Sequence, residues 1–328
     1  MKNIFVIGSN SFSGASFVDF SLKQGARITG TSRSAEPIDA MLPYKWKDHS
    51  QFSFHQLDLN KDLSQIVDLL HAVKPSHVVN FAAQSMVGES WQYPEHWFMT
   101  NVVSTVKLHD ALRKCDFLER YVHVSTPEVY GSCSGFVDEN FPFNPSTPYA
   151  VSRAAADMSL RTFHAAYNFP VVTTRAANVY GPGQQLYRII PRTILFILLG
   201  RKLQLHGGGV STRSFIHMDD VSDATWKIMC NGHDGDTYHI STSEVVSIRE
   251  LVERICAKLQ VSFDDHVEVV GERMGKDSAY HLDSTKVRTE LGWTDRITLD
   301  QGLDECITWV RNNFEALKTS VYDYQHKP

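Results

Sequence analysis

Cysteine is scarce in this chain, and its five copies, at 115, 133, 230, 256 and 306, are odd in number and far apart. They outline neither a zinc pattern nor a disulfide framework, which argues against a stapled secreted scaffold and fits a reducing cytoplasm. Histidine is frequent at 15 residues, yet no two stand in an HxxxH or HxxEH spacing, so no metal site is predicted. Long apolar runs are missing too: nothing approaches the roughly 20 residues that span a bilayer. Met1-Lys2-Asn3 leads into only Ile4 to Ile7 before Gly8, too short for a secretory leader. Neither sign of charge dominates, the formal net charge being −5, which gives no support for binding nucleic acid or a membrane surface. No internal repeat or low-complexity tract is visible. What remains is an ordinary globular composition, 42% hydrophobic and 21% charged over 328 residues. Such a chain can bury a sizeable core in one large or two coupled domains.

The most informative stretch runs from Tyr121 to Arg153. Tyr121 to Val124 is β-branched and aromatic and reads as a buried strand. Pro127 has no N–H for a ladder and closes it, so Ser125, Thr126 and Glu128 are delivered to a strand's carboxyl end. Open α/β sheets bind ligands there. Tyr149 and Arg153 stand four apart on an expected helix and share one side of it. A phenol beside a permanent cation ionises more readily than a free one, whose pKa is about 10. The same pair also fits a core tyrosine next to a surface arginine.

Upstream, residues 2–8 read as a short buried strand ending at glycine, followed by Gly8-Ser9-Asn10-Ser11-Phe12-Ser13-Gly14 and an apolar-periodic helix through Leu22. Strand, glycine turn and helix N-terminus make an anion site for a dinucleotide, through Gly8, Asn10, Ser11, Phe12, Ser13 and Gly14. Ser11 stands where a middle glycine is usual. A second strand, 27–31, ends at Ser32-Arg33-Ser34. A hydroxyl and an arginine there, in place of an acid, suit a 2′-phosphate and lean toward NADP over NAD. A solvated surface arginine is the plain alternative. A third strand, 52–59, ends in Asp58-Leu59 as an adenine contact, and a fourth, 77–81, runs into Ala82-Ala83-Gln84-Ser85, whose small residues let a cofactor lie close.

A long helical pattern covers 91–114 and carries Asn101, a residue placed to cap a neighbour or prop the site. Another strand, 171–175, precedes Ala176 to Gly183, whose Gly/Pro punctuation breaks the alternating βα pattern. Ser247-Ile248-Arg249-Glu250 reads as a capping box opening a helix to about Leu259. Further helices are expected over 283–291 and from Thr298 to about Leu317. The expected fold is α/β: a doubly wound parallel sheet at 1–175, with return segments near 213–240, and a smaller α/β lobe built mainly from 176–328.

Taken together, GSNSFSG at 8–14, NFAAQS at 80–85, STPEVYG at 125–131, YAVSR at 149–153, RAANVYGPG at 175–183, RSFIHMDDV at 213–221 and GERMGKD at 271–277 resemble the extended short-chain dehydrogenase/reductases. Within that Rossmann-like family they are most similar to the nucleotide-sugar 4,6-dehydratases, over nearly the whole chain. The resemblance implies a tightly bound nicotinamide cofactor, regenerated at each turnover, and a nucleotide-diphosphate hexose as substrate. It implies that Tyr149 takes the sugar 4-OH proton while the C4 hydride goes to the nicotinamide, with Thr126 bonded to that hydroxyl. Glu128 stands where the family carries the base for C5–H, and water then leaves from C6. Arg153 replaces the lysine of YxxxK, keeping the charge with a larger, planar group. Pro127 replaces the aspartate that in many relatives protonates the leaving 6-OH, which leaves both proton steps to Glu128. The cofactor set implied is the glycine turn with Ser32, Arg33, Asp58, Leu59, Ala82, Ala83, Gln84, Tyr149 and Arg153. The substrate set is Ser85, Met86, Thr126, Asn178, Tyr187, Arg188, Arg213 and Arg273, with Met86 where relatives often have histidine. Relatives pair as homodimers through the helix after the fourth strand and the Tyr149 helix. A nucleotide-sugar epimerase, a UDP-glucuronate decarboxylase and a dinucleotide-binding protein without turnover are the alternatives.

Overall fold

The computed structural model describes residues 1–47, 50–271 and 281–328. Strands β1 (Asn3–Ile7), β2 (Arg27–Ser32), β3 (Phe52–Gln56), β4 (His77–Asn80) and β5 (Arg120–Val124) alternate with helices α1 (Phe12–Lys23), α2 (Leu63–Val73), α3 (Pro94–Phe98) and α4 (Thr105–Leu112). After β5 come the short β6 (Phe136–Val137), the long helix α5 (Pro148–Tyr167), and β7 (Val171–Ala176). The chain continues with β8 (Asn178–Tyr180), α6 (Ile189–Leu198), β9 (Leu203–His206), β10 (Thr212–Arg213), β11 (Phe215–His217), α7 (Met218–Asn231) and β12 (Thr237–Ile240). Seven strands form one sheet in the order β3-β2-β1-β4-β5-β7-β12, and each neighbouring pair is parallel. The order reverses between β1 and β4, and a dinucleotide crevice opens at such a switch point.

The apolar run of β1 is explained by burial on both faces. Ile4 and Val6 pack with Phe17 of α1 and Ile228 of α7. Their alternating neighbours Phe5 and Ile7 pack with Ile66 of α2, Leu108 of α4 and Leu160 of α5. A separate core, holding Leu195, Leu205, Val252, Ile255, Leu303 and Trp309, gathers the later segments.

Several boundaries differ from expectation. The third strand stops at Gln56, so Asp58 and Leu59 lie in the turn beyond it. The helical run after β4 spans α3 and α4 with a π turn at Met99–Ser104 between them, a distortion that often marks functional sites. At Ser247 only half of the capping box forms. Its hydroxyl accepts from the Glu250 N–H, but the Glu250 carboxylate is taken by Arg254 at 2.6 Å. The full reciprocal box is made by Thr298 and Gln301. The final helix breaks at Asn313 into Leu299–Asn312 and Phe314–Leu317.

Candidate active site

The glycine turn at the end of β1 is built for a close-approaching anion. Gly8 has φ +81°, and a Cβ there would lie 2.7 Å from the Ala82 nitrogen. A Cβ on Gly14 would lie 2.1 Å from the Gly8 carbonyl oxygen. Both positions are therefore closed to any side chain. Ser11 explains the missing middle glycine: it caps α1, accepting from the Gly14 N–H at 3.1 Å and donating to the Gly8 carbonyl at 2.7 Å. Phe12, nearly fully buried, and Ser13 start the helix, whose first turn carries no acidic residue. The positive end of its dipole thus stays free for phosphate. These features fit a dinucleotide pyrophosphate.

Asn10 joins this turn to the next strand end: its N–H donates to Ser32 Oγ at 3.2 Å and its Nδ2 to the Ser34 carbonyl at 2.8 Å. Arg33 donates to the carbonyl oxygens of Lys327 and Pro328 at 3.0 and 3.1 Å. The Asp58 carboxylate accepts from the Asn60 N–H at 2.8 Å, and Leu59 is buried beside it. On the other side of β1, Ala82 donates its N–H to Asn80 Oδ1, and Ala83 and Gln84 follow. Asn101 is the prop the sequence suggested. Its Oδ1 accepts from the Gln84 N–H at 2.9 Å, while its Nδ2 donates to the Gln84 carbonyl and to Ser152 Oγ, each at 3.0 Å. The loop after β4 is thereby tied to the helix that carries Tyr149.

That helix, α5, opens with Thr147 as cap and Pro148 in its first turn. It brings Tyr149 and Arg153, both buried, against the end of β5. Arg153 donates to the Val124 carbonyl. Thr126 caps a short turn, Pro127–Tyr130, in which Pro127 takes the place that needs no N–H. Its hydroxyl accepts from the Glu128 N–H at 3.4 Å and donates to the Glu128 carboxylate. Thr126 also reaches the Tyr149 phenol.

Burial pushes the Tyr149 phenol up to about 12, and the negative charge of Glu128 adds to that. Arg153, the Thr126 hydroxyl and Arg188 pull the other way without overcoming burial. The expectation of an easily ionised phenol is corrected: the neighbouring cation is present, but desolvation of the anion outweighs it.

The proposed substrate residues separate into groups. Arg188 caps α6 and comes from the later segments to the Tyr149 cluster, with its guanidinium 5.5 Å above the Tyr187 ring. Asn178 begins β8, where it pairs with Phe215 of β11, two residues beyond Arg213. Arg213 is buried on β10, donates to the Thr212 carbonyl at 2.7 Å, and acts on His281. Ser85 is exposed and Met86 half-buried in the loop after β4. Arg273 lies outside the described residues. Among the described residues, no cluster of His, Cys, Asp and Glu could hold a metal ion.

Sequence reasoning missed what lies behind this site. Asp157, one turn beyond Arg153, accepts from Ser125 Oγ and from Arg175 Nη2, both at 2.7 Å. Arg175 also donates to the Tyr130 hydroxyl, which lies 2.7 Å from His239 Nε2. Burial alone would raise the Asp157 carboxyl, but Arg175, His123 and Arg153 overcome it and hold it well below the usual carboxylate range. The available signal was the helical spacing of Tyr149, Arg153 and Asp157, which shares one face.

Residues 5–306 match the family model described as GDP-mannose 4,6 dehydratase. The chain belongs to this family. It is thus an extended short-chain dehydrogenase/reductase of the nucleotide-sugar 4,6-dehydratase type. A dTDP-glucose 4,6-dehydratase of Xanthomonas campestris pv. campestris is 30% identical, across 95% of this chain and 94% of that protein. One from Mycolicibacterium smegmatis is 33% identical, across 97% of each. Among solved structures, the dTDP-glucose 4,6-dehydratase DesIV of Streptomyces venezuelae, with NAD bound, superposes with a TM-score of 0.89 at 30% identity, covering 96% of this chain and 98% of that one.

Proposed function

We propose that this family member removes water from a nucleoside-diphosphate hexose to give the 4-keto-6-deoxy sugar, with dTDP-glucose, the substrate named for its relatives, as the first substrate to test. The observation that carries the reading is the placement of Glu128. Its carboxylate is bonded to Thr126 and acts on the buried Tyr149 phenol, so a second base stands beside the first. A 4-epimerase has no use for such a base.

When bound, the nicotinamide accepts and later returns a hydride. Tyr149 takes the 4-OH proton, and Thr126 orients that hydroxyl. Arg153 and Arg188 stabilise the phenolate form of Tyr149 that takes this proton. Oxidation at C4 acidifies C5–H, Glu128 takes that proton, and with Pro127 beside it Glu128 also protonates the departing 6-OH. Asn178, Arg213, Arg273, Tyr187 and Arg188 grip the nucleotide diphosphate, where arginine offers paired donors to phosphate oxygens.

Residues 1–175, with the 213–240 segments, hold the dinucleotide, and 176–328 mainly the nucleotide sugar. The cofactor proposed is NAD. Arg33, the charged half of the hydroxyl–arginine pair that leaned toward NADP, already donates to the carbonyls of Lys327 and Pro328, and DesIV carries NAD. A homodimer is proposed through α5 and the helical run after β4, where Met99 and Val103 of the π turn and Val151 and Met158 of α5 are exposed. Among the described residues no helix is long and apolar enough to cross a membrane, and the five cysteines are free. The free cysteines support the proposed cytoplasmic location.

Mass spectrometry after incubation with separate GDP-, UDP-, dTDP- and CDP-hexoses tests the reaction. Loss of one water from one of them is expected. An unchanged mass with an altered sugar configuration, or loss of carbon dioxide from a UDP-glucuronate control, would replace it with the epimerase or the decarboxylase.

A further inference from the structure

Residues 322–328 cross from the later segments to the parallel sheet and anchor at four places. Arg192 donates to the Tyr322 carbonyl at 3.1 Å and to the Asp323 carboxylate at 3.0 Å. The Tyr324 ring meets Tyr187 edge-on with centroids 5.5 Å apart. His326 stacks on Trp97 and on Tyr93 at 5.0 and 5.3 Å, and its Nε2 lies 2.7 Å from His96 Nδ1. The Lys327 carbonyl accepts from Gln84 Nε2 at 2.7 Å and from Arg33 at 3.0 Å, while the Lys327 ammonium donates to Ser34 Oγ at 3.2 Å.

The position of these contacts gives the segment a role. Arg33 and Ser34 follow β2, and Gln84 follows β4; β1 lies between those strands. A peptide bonded to both passes over the end of β1, where the Gly8–Gly14 turn sits. Among the described residues the hydrogen bonds of Lys327 and Pro328 go to the two flanks of the crevice and not to the turn itself. The N–H groups that would hold phosphate are therefore left to the phosphate, and the peptide roofs them.

We propose that residues 322–328 form a strap that closes the dinucleotide crevice and slows release of the resident cofactor. The inference rests on the cofactor reading of the glycine turn. Two hydrogen bonds to the Lys327 carbonyl and the His326 stack hold the strap down. The cofactor leaves only when these open, so the release rate is scaled down by the fraction of time the strap is open. It places the Lys327 ammonium at Ser34, just beyond the end of β2.

The test is a chase. Full-length protein is loaded with radiolabelled NAD, diluted into excess unlabelled NAD, and the retained label is followed by rapid filtration. The same is done for a chain stopped after Ser320 and for His326→Ala, which keeps the strap's length but loses its stack. Release about tenfold faster or more from the shortened chain, and severalfold faster from H326A, is expected from the loss of two hydrogen bonds and a stack. Should the shortened chain not fold, H326A decides alone. Equal release rates overturn the strap. Slower release from the variants also overturns it and makes the segment a competitor of NAD. If the full-length protein binds no dinucleotide at all, the cofactor reading itself falls, and the strap with it.

Discussion

Asp157 accepts a hydrogen bond from Ser125 at 2.7 Å, and this contact, together with the Arg153 bond to the Val124 carbonyl, joins the helix of Tyr149 and Arg153 to the strand end of Thr126 and Glu128. The two halves of the proposed chemistry are thus held in register from behind, by a carboxylate that touches neither the sugar nor the cofactor in the proposed mechanism. Its partner Arg175 is as deeply buried as Asp157 itself.

Removing that carboxylate strands a buried cation. Asp157→Ala is expected to cost about 3–5 kcal/mol, the usual penalty for breaking a buried pair from one side, measured by urea unfolding. Because the folded Asp157 pKa is depressed, its contribution is complete above about pH 4 and fades as pH falls through the folded value. The gap between wild type and variant should therefore narrow in acid. A cost below about 1 kcal/mol at neutral pH would show the pair to be replaceable by water or by repacking.

Tyr149 gives a second pH signature. Its phenol is raised to about 12 and must lose its proton for oxidation at C4, so the first half-reaction should accelerate with pH on its acid limb. Arg153→Met removes a charge that lowers this pKa and should move the limb to higher pH, whereas Arg153→Lys should restore much of the wild-type position. A limb unmoved in R153M would remove Arg153 from the phenol's chemistry.

Gly14→Ala is expected to weaken dinucleotide binding by tenfold or more, since its Cβ would fall 2.1 Å from the Gly8 carbonyl and force the first turn of α1 away from the phosphate seat. Equilibrium titration with NAD, alongside a thermal melt to separate binding from unfolding, reads the effect. Ser11→Ala should do less, about 1 kcal/mol of stability through the lost cap.

Much of this was legible because it is local. The glycine turn, the Pro127 stop and the Tyr149/Arg153 face are spacings within a few residues, where backbone geometry leaves little freedom. Contacts across the chain were not legible. Lys327 meets Arg33 across 294 residues, and no periodicity announces such a pair. The Tyr149 pKa went the other way from expectation for a related reason: the arginine could be read from sequence, but the depth of burial that outweighs it could not. Glu250 shows a milder failure, a correct capping signature half diverted because Arg254 sits one turn away.

The dimer proposal has its own check. Met158→Glu places a charge on an exposed apolar position of α5 and should shift the protein toward monomer in sedimentation velocity, with little change in its melting temperature. A wild-type protein that sediments as a monomer at all concentrations would end that proposal.

The most direct test of the central claim is a single turnover of Glu128→Gln with the active nucleotide hexose, reading reduced nicotinamide by absorbance and the sugar by mass. With Tyr149 and Thr126 intact, the account expects reduced nicotinamide to accumulate with a 4-keto sugar that has lost no water. Complete dehydration by the variant would contradict the assignment of Glu128 as the C5 base.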